Sequence, residues 1–245
     1  MAKKTVYVII PAAGRSERMG GSVPKIMMDL AGIPVIIRTL MAFEEYDDAD
    51  YVMRAVLVTG TTLTGDIRDL IGKYGITCVE DVIEGGATRT ESVGRGVSYL
   101  RNLGLIDSSI VFIHDGARCL IDQDTLHSCV DALTRCDVCA AAVPAKNTIK
   151  ITGNTEDGLP VVESTPDRSR LMEIQTPQCF RFNVLSEAYR YAEDNDITAT
   201  DDTALAELLG YKVCLCKGSY SNIKITTPED LQFAEGLSKL FSFGA

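Results

Sequence analysis

Tryptophan is absent from the 245 residues, and nine tyrosines and seven phenylalanines are all the aromatic surface the chain can bury. Its core must be built from aliphatic side chains. With 46% apolar residues the chain is long enough for one sizeable α/β core and need not be divided in two. Positive charge is also scarce. Against 34 acidic residues stand 24 Lys and Arg, a net charge of −10, so long-range repulsion opposes nucleic acid and anionic membrane surfaces as partners. Any anion must therefore be bound in a local basic pocket. No apolar run approaches the roughly 20 residues that span a bilayer. The opening MAKKTVYVIIP has two lysines, but its apolar run stops at a proline that belongs to the fold, so a cleaved signal segment is not expected and the expected location is cytoplasmic. Internal repeats, low-complexity tracts and linkers are missing too. The eight cysteines are dispersed and suit buried free thiols in a reducing compartment; Cys136 and Cys139 form a C-x-x-C with no second pair at zinc spacing.

What is present starts with Val6 to Lys25, VYVIIPAAGRSERMGGSVPK. A short apolar run, rich in β-branched residues and without polar alternation, reads as a strand buried on both faces. It breaks at Pro11 into small residues, and the loop gathers Arg15, Arg18 and Lys25. Backbone that can approach an anion, together with fixed positive charge, suits a polyphosphate. An ordinary strand-to-helix turn with solvated basic residues fits the same composition. Two nucleotide-binding patterns are excluded: no G-x-G-x-x-G follows the strand, and Lys25 is neither preceded by glycine nor followed by Ser or Thr.

Further along, helical and strand-like periods alternate. Helices are expected over Pro34–Tyr46, Thr64–Tyr74, Thr88–Leu103 and Asp122–Cys136; buried strands over Tyr51–Thr59, Ile76–Glu80, Ile110–Ile113 and Val138–Val143. That order predicts a Rossmann-like α/β fold of three layers, a mostly parallel sheet with helices on both faces, whose ligands sit beyond the carboxyl ends of the strands. Gly85 and Gly86 precede the third helix, where Arg89 and Ser92 offer a cation and a hydroxyl one turn apart. Asp115 follows the strand Ile110–Ile113 and is a candidate Mg²⁺ ligand, whereas His114 is read as a hydrogen-bonded core or rim histidine.

Between Lys146 and Gln178 the pattern changes to β-prone runs around a polar turn at Gly153–Gly158, read as a hairpin inserted at the sheet's edge. An isolated pair of strands is marginal in water, so this arm needs a partner surface, most simply a second copy of the chain. The α/β habit then resumes: a helix over Asn183–Glu193, a helix ending at Leu209, a strand over Tyr211–Cys216, a strand-like piece carrying Lys224, and a last helix from Pro228 capped by Thr227. The expected organisation is a single domain over 1–245 with the arm inserted at about 146–175.

Six motifs, in order, carry a resemblance. Ala12-Ala13-Gly14-x-x-x-Arg18-Met19 with Pro24-Lys25 resembles the nucleotide-sugar pyrophosphorylase-like nucleotidyltransferases. Gly85-Gly86-x-x-Arg89-x-x-Ser92-Val93, His114-Asp115-x-x-Arg118, Thr176-Pro177-Gln178-x-Phe180, Thr200-Asp201-Asp202 and Asn222-Ile223-Lys224-Ile225-Thr226 narrow it to the 2-C-methyl-D-erythritol 4-phosphate cytidylyltransferases of the non-mevalonate isoprenoid pathway. The resemblance implies that CTP and the polyol phosphate give a CDP-linked alcohol and pyrophosphate, with Mg²⁺ as cofactor and Asp115 as its protein ligand. It implies that Arg18 and Lys25 stabilise charge on the α-phosphate, and that Ala12, Ala13, Gly14, Gly86, Arg89, Ser92 and Asp115 surround the CTP. Lys224 and Arg168 would grip the attacking phosphate, with Arg118, Thr148, Thr176 and Thr200 on the substrate side. Thr148 and Arg168 would enter the partner's site from the arm of a homodimer. A pentitol phosphate such as ribitol 5-phosphate is the alternative acceptor; relatives using it usually read Leu-Ala-Gly-Gly where this chain has Pro11-Ala12-Ala13-Gly14. The chain departs from the family at Ser16, at Ile26, which replaces an amide worth about 0.5–1.5 kcal/mol as a hydrogen bond, and at Cys119, and it has no second carboxylate beside Lys224.

Overall fold

The computed structural model describes residues 3–14, 23–153, 158–199 and 201–240. Strand β1 (Lys4–Pro11) lies inside a sheet and alternates its side chains between two apolar layers. Val6, Val8 and Ile10 face one layer and Ile9 the other, all at 0% exposure. A strand buried on both faces needs no polar alternation, which is why VYVII is uninterrupted.

A 3₁₀ turn at Lys25–Met27 and the short pair β2 (Asp29–Leu30) and β3 (Ile33–Pro34) lead into α1 (Val35–Glu44). Then follow β4 (Tyr51–Thr59), α2 (Thr64–Tyr74), β5 (Val79–Glu84), α3 (Arg89–Asn102), β6 (Ile110–Ile113), α4 (Gln123–Ala132) and β7 (Val138–Pro144). The third strand starts three residues later than Ile76, because Gly75 caps α2 in the left-handed conformation and 76–78 make the turn. Helix α4 stops at Ala132, leaving Cys136 in a loop.

The arm consists of β8 (Ile151–Gly153) and β9 (Val161–Ser164), paired antiparallel in a sheet of their own. It is therefore a separate ribbon rather than an extension of the main sheet's edge. Its turn at 154–157 lies outside the described residues. The segment after it, read above as part of the hairpin, is instead a central strand, β10 (Met172–Arg181). The chain closes with α5 (Phe182–Asp194), α6 (Asp202–Leu208), β11 (Cys214–Lys217) and α7 (Pro228–Leu240). The piece around Lys224 is irregular backbone, not a strand.

Among the described residues the main sheet has seven strands in the order β11-β7-β10-β6-β1-β4-β5. All neighbours are parallel except β10, which runs antiparallel between β6 and β7. One face is covered by α1, α2 and α4 through Ile36, Leu40, Ile67 and Leu126, the other by α3, α5 and α6 through Val93, Val97, Leu185 and Leu205. From β1 the chain passes to β4 on one side and later to β6 on the other. The crevice between those two exits is where a ligand of such a sheet binds. No helix among the described residues is long and apolar enough to cross a membrane.

Candidate active site

A cavity of about 870 Å³ opens at the carboxyl ends of β1, β4, β5 and β6. Its rim is drawn from the loops that follow those strands: Ala12, Ala13 and Gly14 after β1, Gly60–Leu63 after β4, Gly85–Arg89 after β5, and Asp115–Ala117 after β6. Lys25, Ser92 and Lys224 complete it. Of the four side chains expected to converge, Lys25, Asp115 and Lys224 do so; Arg18 lies outside the described residues, as do Arg15 and Thr200.

The glycine-rich wall is shaped from within. A Cβ on Gly85 would lie 2.8 Å from Ser92 Oγ and 3.1 Å from Ala13 Cβ, so only glycine lets these two loops close on one another. Gly86 N–H donates to Ser92 Oγ at 3.1 Å, and that hydroxyl donates to the Thr88 carbonyl at 2.8 Å. Thr88 caps α3 by accepting from Glu91 N–H, while the Glu91 carboxylate accepts from Ala87 N–H, a reciprocal cap that fixes the loop's exit into the helix. Ser92 thus holds the loop in shape. Ser92 and Arg89, one turn apart on α3, both line the cavity.

The floor is a charge lattice centred on Asp115, which is 7% exposed. Lys224 Nζ stands 2.7 Å from Oδ2, Arg118 Nε 3.6 Å from the same oxygen, and Arg89 Nε 3.4 Å from Oδ1. Burial by itself would raise this carboxyl, but Lys224 first, then Arg89 and Arg118, outweigh it and hold the group well below the usual carboxylate range. Arg89 is fixed in turn by a two-pronged pair with Asp202, at 2.8 and 2.7 Å. Asp202 also accepts from the Tyr189 hydroxyl, and Gln178 Oε1 accepts its backbone N–H at 2.7 Å. Three cations face two carboxylates, which leaves one net positive charge before Lys25 is counted.

Behind Asp115 lies a neutral support. Asp115 N–H donates to Thr176 Oγ1 at 3.1 Å, Thr176 Oγ1 is 3.1 Å from His114 Nδ1, and His114 Nε2 is 3.0 Å from the Arg118 carbonyl. Burial pushes the fully enclosed imidazole down to about 4, against the Arg118 carbonyl and Asp115, so it is neutral at pH 7 and can donate from Nε2 while accepting at Nδ1. Thr176 is 3% exposed with its hydroxyl spent on this chain of bonds; it braces the floor and does not face the cavity. Asn222 ties the Lys224 segment to the same strand, its Nδ2 donating to the Thr176 carbonyl at 2.8 Å and its own carbonyl accepting from Arg118 Nη1 at 2.8 Å.

Two expected residues lie elsewhere. Thr148 and Arg168 are exposed, neither lines the cavity, and the Arg168 guanidinium donates to the Lys146 carbonyl at 3.1 Å. Asp202 and Tyr189 were given no role from the sequence. The Thr200-Asp201-Asp202 motif flagged the place, but only tertiary contact identifies the arginine it serves. Two of the departures are absorbed by packing: Ile26 is 4% exposed in the main core and Cys119 3% exposed in the small cluster around Leu30 and Ile225, while Ser16 lies outside the described residues.

As a site for Mg²⁺, the donor set offers one hard oxygen ligand. Among the described residues no three His, Cys, Asp or Glu side chains are grouped to hold an ion by themselves. That composition fits a cation held chiefly by phosphate oxygens, the usual mode for Mg²⁺ in nucleotide sites, with Asp115 adding a carboxylate.

Comparison with known proteins agrees with this geometry. The family model "2-C-methyl-D-erythritol 4-phosphate cytidylyltransferase" matches residues 6–239. Proteins bearing that name from Synechococcus sp. and Alkaliphilus oremlandii are each 40% identical, covering 94% and 95% of this chain and 95% and 94% of their own. A crystal structure of 4-diphosphocytidyl-2C-methyl-D-erythritol synthase from Anaerococcus prevotii superposes with a TM-score of 0.79 at 29% identity, covering 96% of both chains. The chain belongs to the 2-C-methyl-D-erythritol 4-phosphate cytidylyltransferase family.

Proposed function

We propose that the chain transfers the cytidylyl group of CTP to the phosphate of 2-C-methyl-D-erythritol 4-phosphate, giving the CDP-linked alcohol and pyrophosphate. The observation that carries this reading is the convergence of Lys25, Asp115 and Lys224 on one cavity beside the glycine-rich wall. Family membership favours methylerythritol phosphate over ribitol 5-phosphate as the acceptor.

In-line attack of a phosphate oxygen on the α-phosphorus needs little covalent help from the protein; alignment and charge stabilisation do most of the work. Backbone at Ala12–Gly14 and Gly85–Gly86 lies against the nucleotide. Arg18 and Lys25 face the negative charge that grows on the α-phosphate. Lys224, aimed by Asp115, holds the attacking phosphate next to it, and Asp202 keeps Arg89 turned toward the floor. Because Lys224 and Arg89 are already paired in place, they need little reorganisation at the moment of reaction. Asp115 would hold Mg²⁺, which would supply charge neutralisation for the departing pyrophosphate.

The arm completes the site in a homodimer. Ile149, Ile151, Leu159, Val161 and Val162 are 45–68% exposed, a density of apolar side chains on a two-stranded ribbon that calls for a covering surface. Thr148 and Arg168, remote from their own chain's cavity, then reach the partner's. The free thiols of all eight cysteines suit the cytoplasm.

The test is pyrophosphate release by the purified protein with CTP, Mg²⁺ and each polyol phosphate. Turnover with methylerythritol phosphate is expected; turnover with ribitol 5-phosphate alone would overturn the assignment.

A further inference from the structure

Four thiols that cytidylyl transfer does not use meet on one face of the sheet. Cys129 comes from α4, Cys139 from β7, Cys179 from β10 and Cys216 from β11, and all four belong to the core packed under α1, α2 and α4. Cys139 stands opposite Cys179 across the ladder, and β11 brings in Cys216 beside Ala141. Cys129 Sγ and Cys216 Sγ are 3.3 Å apart, while the Cys139 thiol donates to the Cys129 carbonyl at 3.7 Å. Four sulfurs suggest a metal, but among the described residues no such group has the geometry to hold an ion. What remains is chemistry between two sulfurs.

The four thiols are not equivalent. Cys139 and Cys179 are sealed, and burial pushes the Cys179 thiol well above its ordinary range. Cys216 is 8% exposed and borders a surface cavity of about 490 Å³, with Met172, Lys217 and Tyr220 around it. The contact with Cys129, in which either thiol can be the donor, draws the Cys216 thiol below its ordinary range against the effect of burial. Of the four, Cys216 is the least enclosed, and Cys129 stands in contact with it as the resolving thiol.

Both ends of this contact lead into the site. Helix α4 begins at Gln123, directly after the turn that carries Asp115 and Arg118, and β11 ends at Lys217, from which irregular backbone runs to Lys224. We propose that Cys129 and Cys216 are a peroxide-oxidised dithiol–disulfide couple that ties α4 to β11 and so shifts the seat of Lys224. The Cys216 thiolate attacks one oxygen of hydrogen peroxide, the O–O bond breaks, and hydroxide leaves as water. Cys129, losing its proton, then attacks the resulting sulfenic sulfur, the S–S bond forms and the S–O bond breaks, releasing a second water. Two thiols lose two electrons and the peroxide gains them. The sulfurs must close from 3.3 Å to about 2.05 Å, and that movement is what the attached segments feel.

The consequence for activity rests on the role given to Lys224, so linkage and turnover are read separately. The full chain is treated with hydrogen peroxide and its disulfides are mapped by peptide mass spectrometry. A Cys129–Cys216 link is expected, with turnover reduced about fivefold and restored by dithiothreitol. Cys129→Ala and Cys216→Ala should each fail to form the link and keep their turnover through the treatment, while Cys214→Ala, at an exposed thiol, should still form it. A link between Cys139 and Cys179, irreversible oxidation of Cys216 without a link, or a link that leaves turnover unchanged would overturn the proposal. Lys224→Ala in the reduced protein checks the reading of that lysine independently.

Discussion

The floor of the cavity and the hairpin arm are built on opposite principles. Around Asp115 the charges are paired by the chain itself, with Lys224 and Arg118 beside one oxygen, Arg89 beside the other, Asp202 behind Arg89 and the Thr176–His114 chain behind the backbone, while Arg118 Nε and Asn222 Oδ1 lack a hydrogen-bond partner. The arm shows the reverse, with exposed Val161 and Val162 and an exposed Arg168 that donates to the Lys146 carbonyl. Desolvated charges are costly unless paired, so the floor's ion pairs form within one subunit before any ligand arrives. A solvated ribbon carries no such demand and can leave its completion to another chain.

Breaking the floor should have the larger effects. Lys25→Ala removes charge stabilisation at the α-phosphate, and turnover is expected to fall by roughly 10²–10³-fold, about 2.7–4 kcal/mol, with CTP affinity changed far less. Pre-steady-state turnover together with calorimetric CTP binding separates the two; a loss below about tenfold would remove the catalytic role from this lysine.

The next test uses pH. The His114 imidazole lies near 4 in the folded chain, against an ordinary 6.5. The unfolded chain therefore takes up the proton first as pH falls, and stability that is full above pH 6.5 is lost progressively between 6.5 and 4, by roughly 3 kcal/mol in all. Urea midpoints at pH 7, 5.5 and 4.5 should show that slope. His114→Asn should flatten it, whereas a variant with the same slope as wild type would remove His114 from the account.

Deleting residues 151–160 challenges the arm alone. Sedimentation should show a monomer with turnover down at least tenfold, about 1.4 kcal/mol, and a melting temperature close to the parent's, since the ribbon packs little on its own chain. A fully active monomer would end the claim of a shared site. Asp202→Asn should have the smallest effect, weakening the hold on Arg89 by about 1–2 kcal/mol of stability and lowering turnover about fivefold. If Tyr189→Phe together with Asp202→Asn left both unchanged, the lattice would not be what positions Arg89.

Much of this was legible in the residues. Buried strands announced themselves because two-sided burial leaves no polar alternation, and Tyr51–Thr59, Thr64–Tyr74 and Ile110–Ile113 were read to the residue. Strand β10 was not, because MEIQTPQCFR carries a proline and three polar residues in its middle. Its central place follows from contacts the sequence does not display: Gln178 serving Asp202 and Thr203, and Thr176 serving Asp115. Likewise Asp115, Lys25 and Lys224 were visible as charges at loop positions, while Asp202 and Tyr189 were not. Their function is to hold another side chain, and that depends on a packing between α3, α5 and α6 that periodicity cannot reveal.

Mixing two inactive variants tests the contrast between floor and arm most directly. Lys25→Ala damages a subunit's own cavity and Arg168→Ala damages the arm it lends, so a mixed dimer holds one intact site. After unfolding and refolding an equal mixture, random pairing makes half the dimers mixed, and turnover should recover to about a quarter of wild type. Recovery no greater than the average of the two variants would mean that Arg168 serves its own subunit or no site, and would contradict a floor built within one chain and completed by the arm of another.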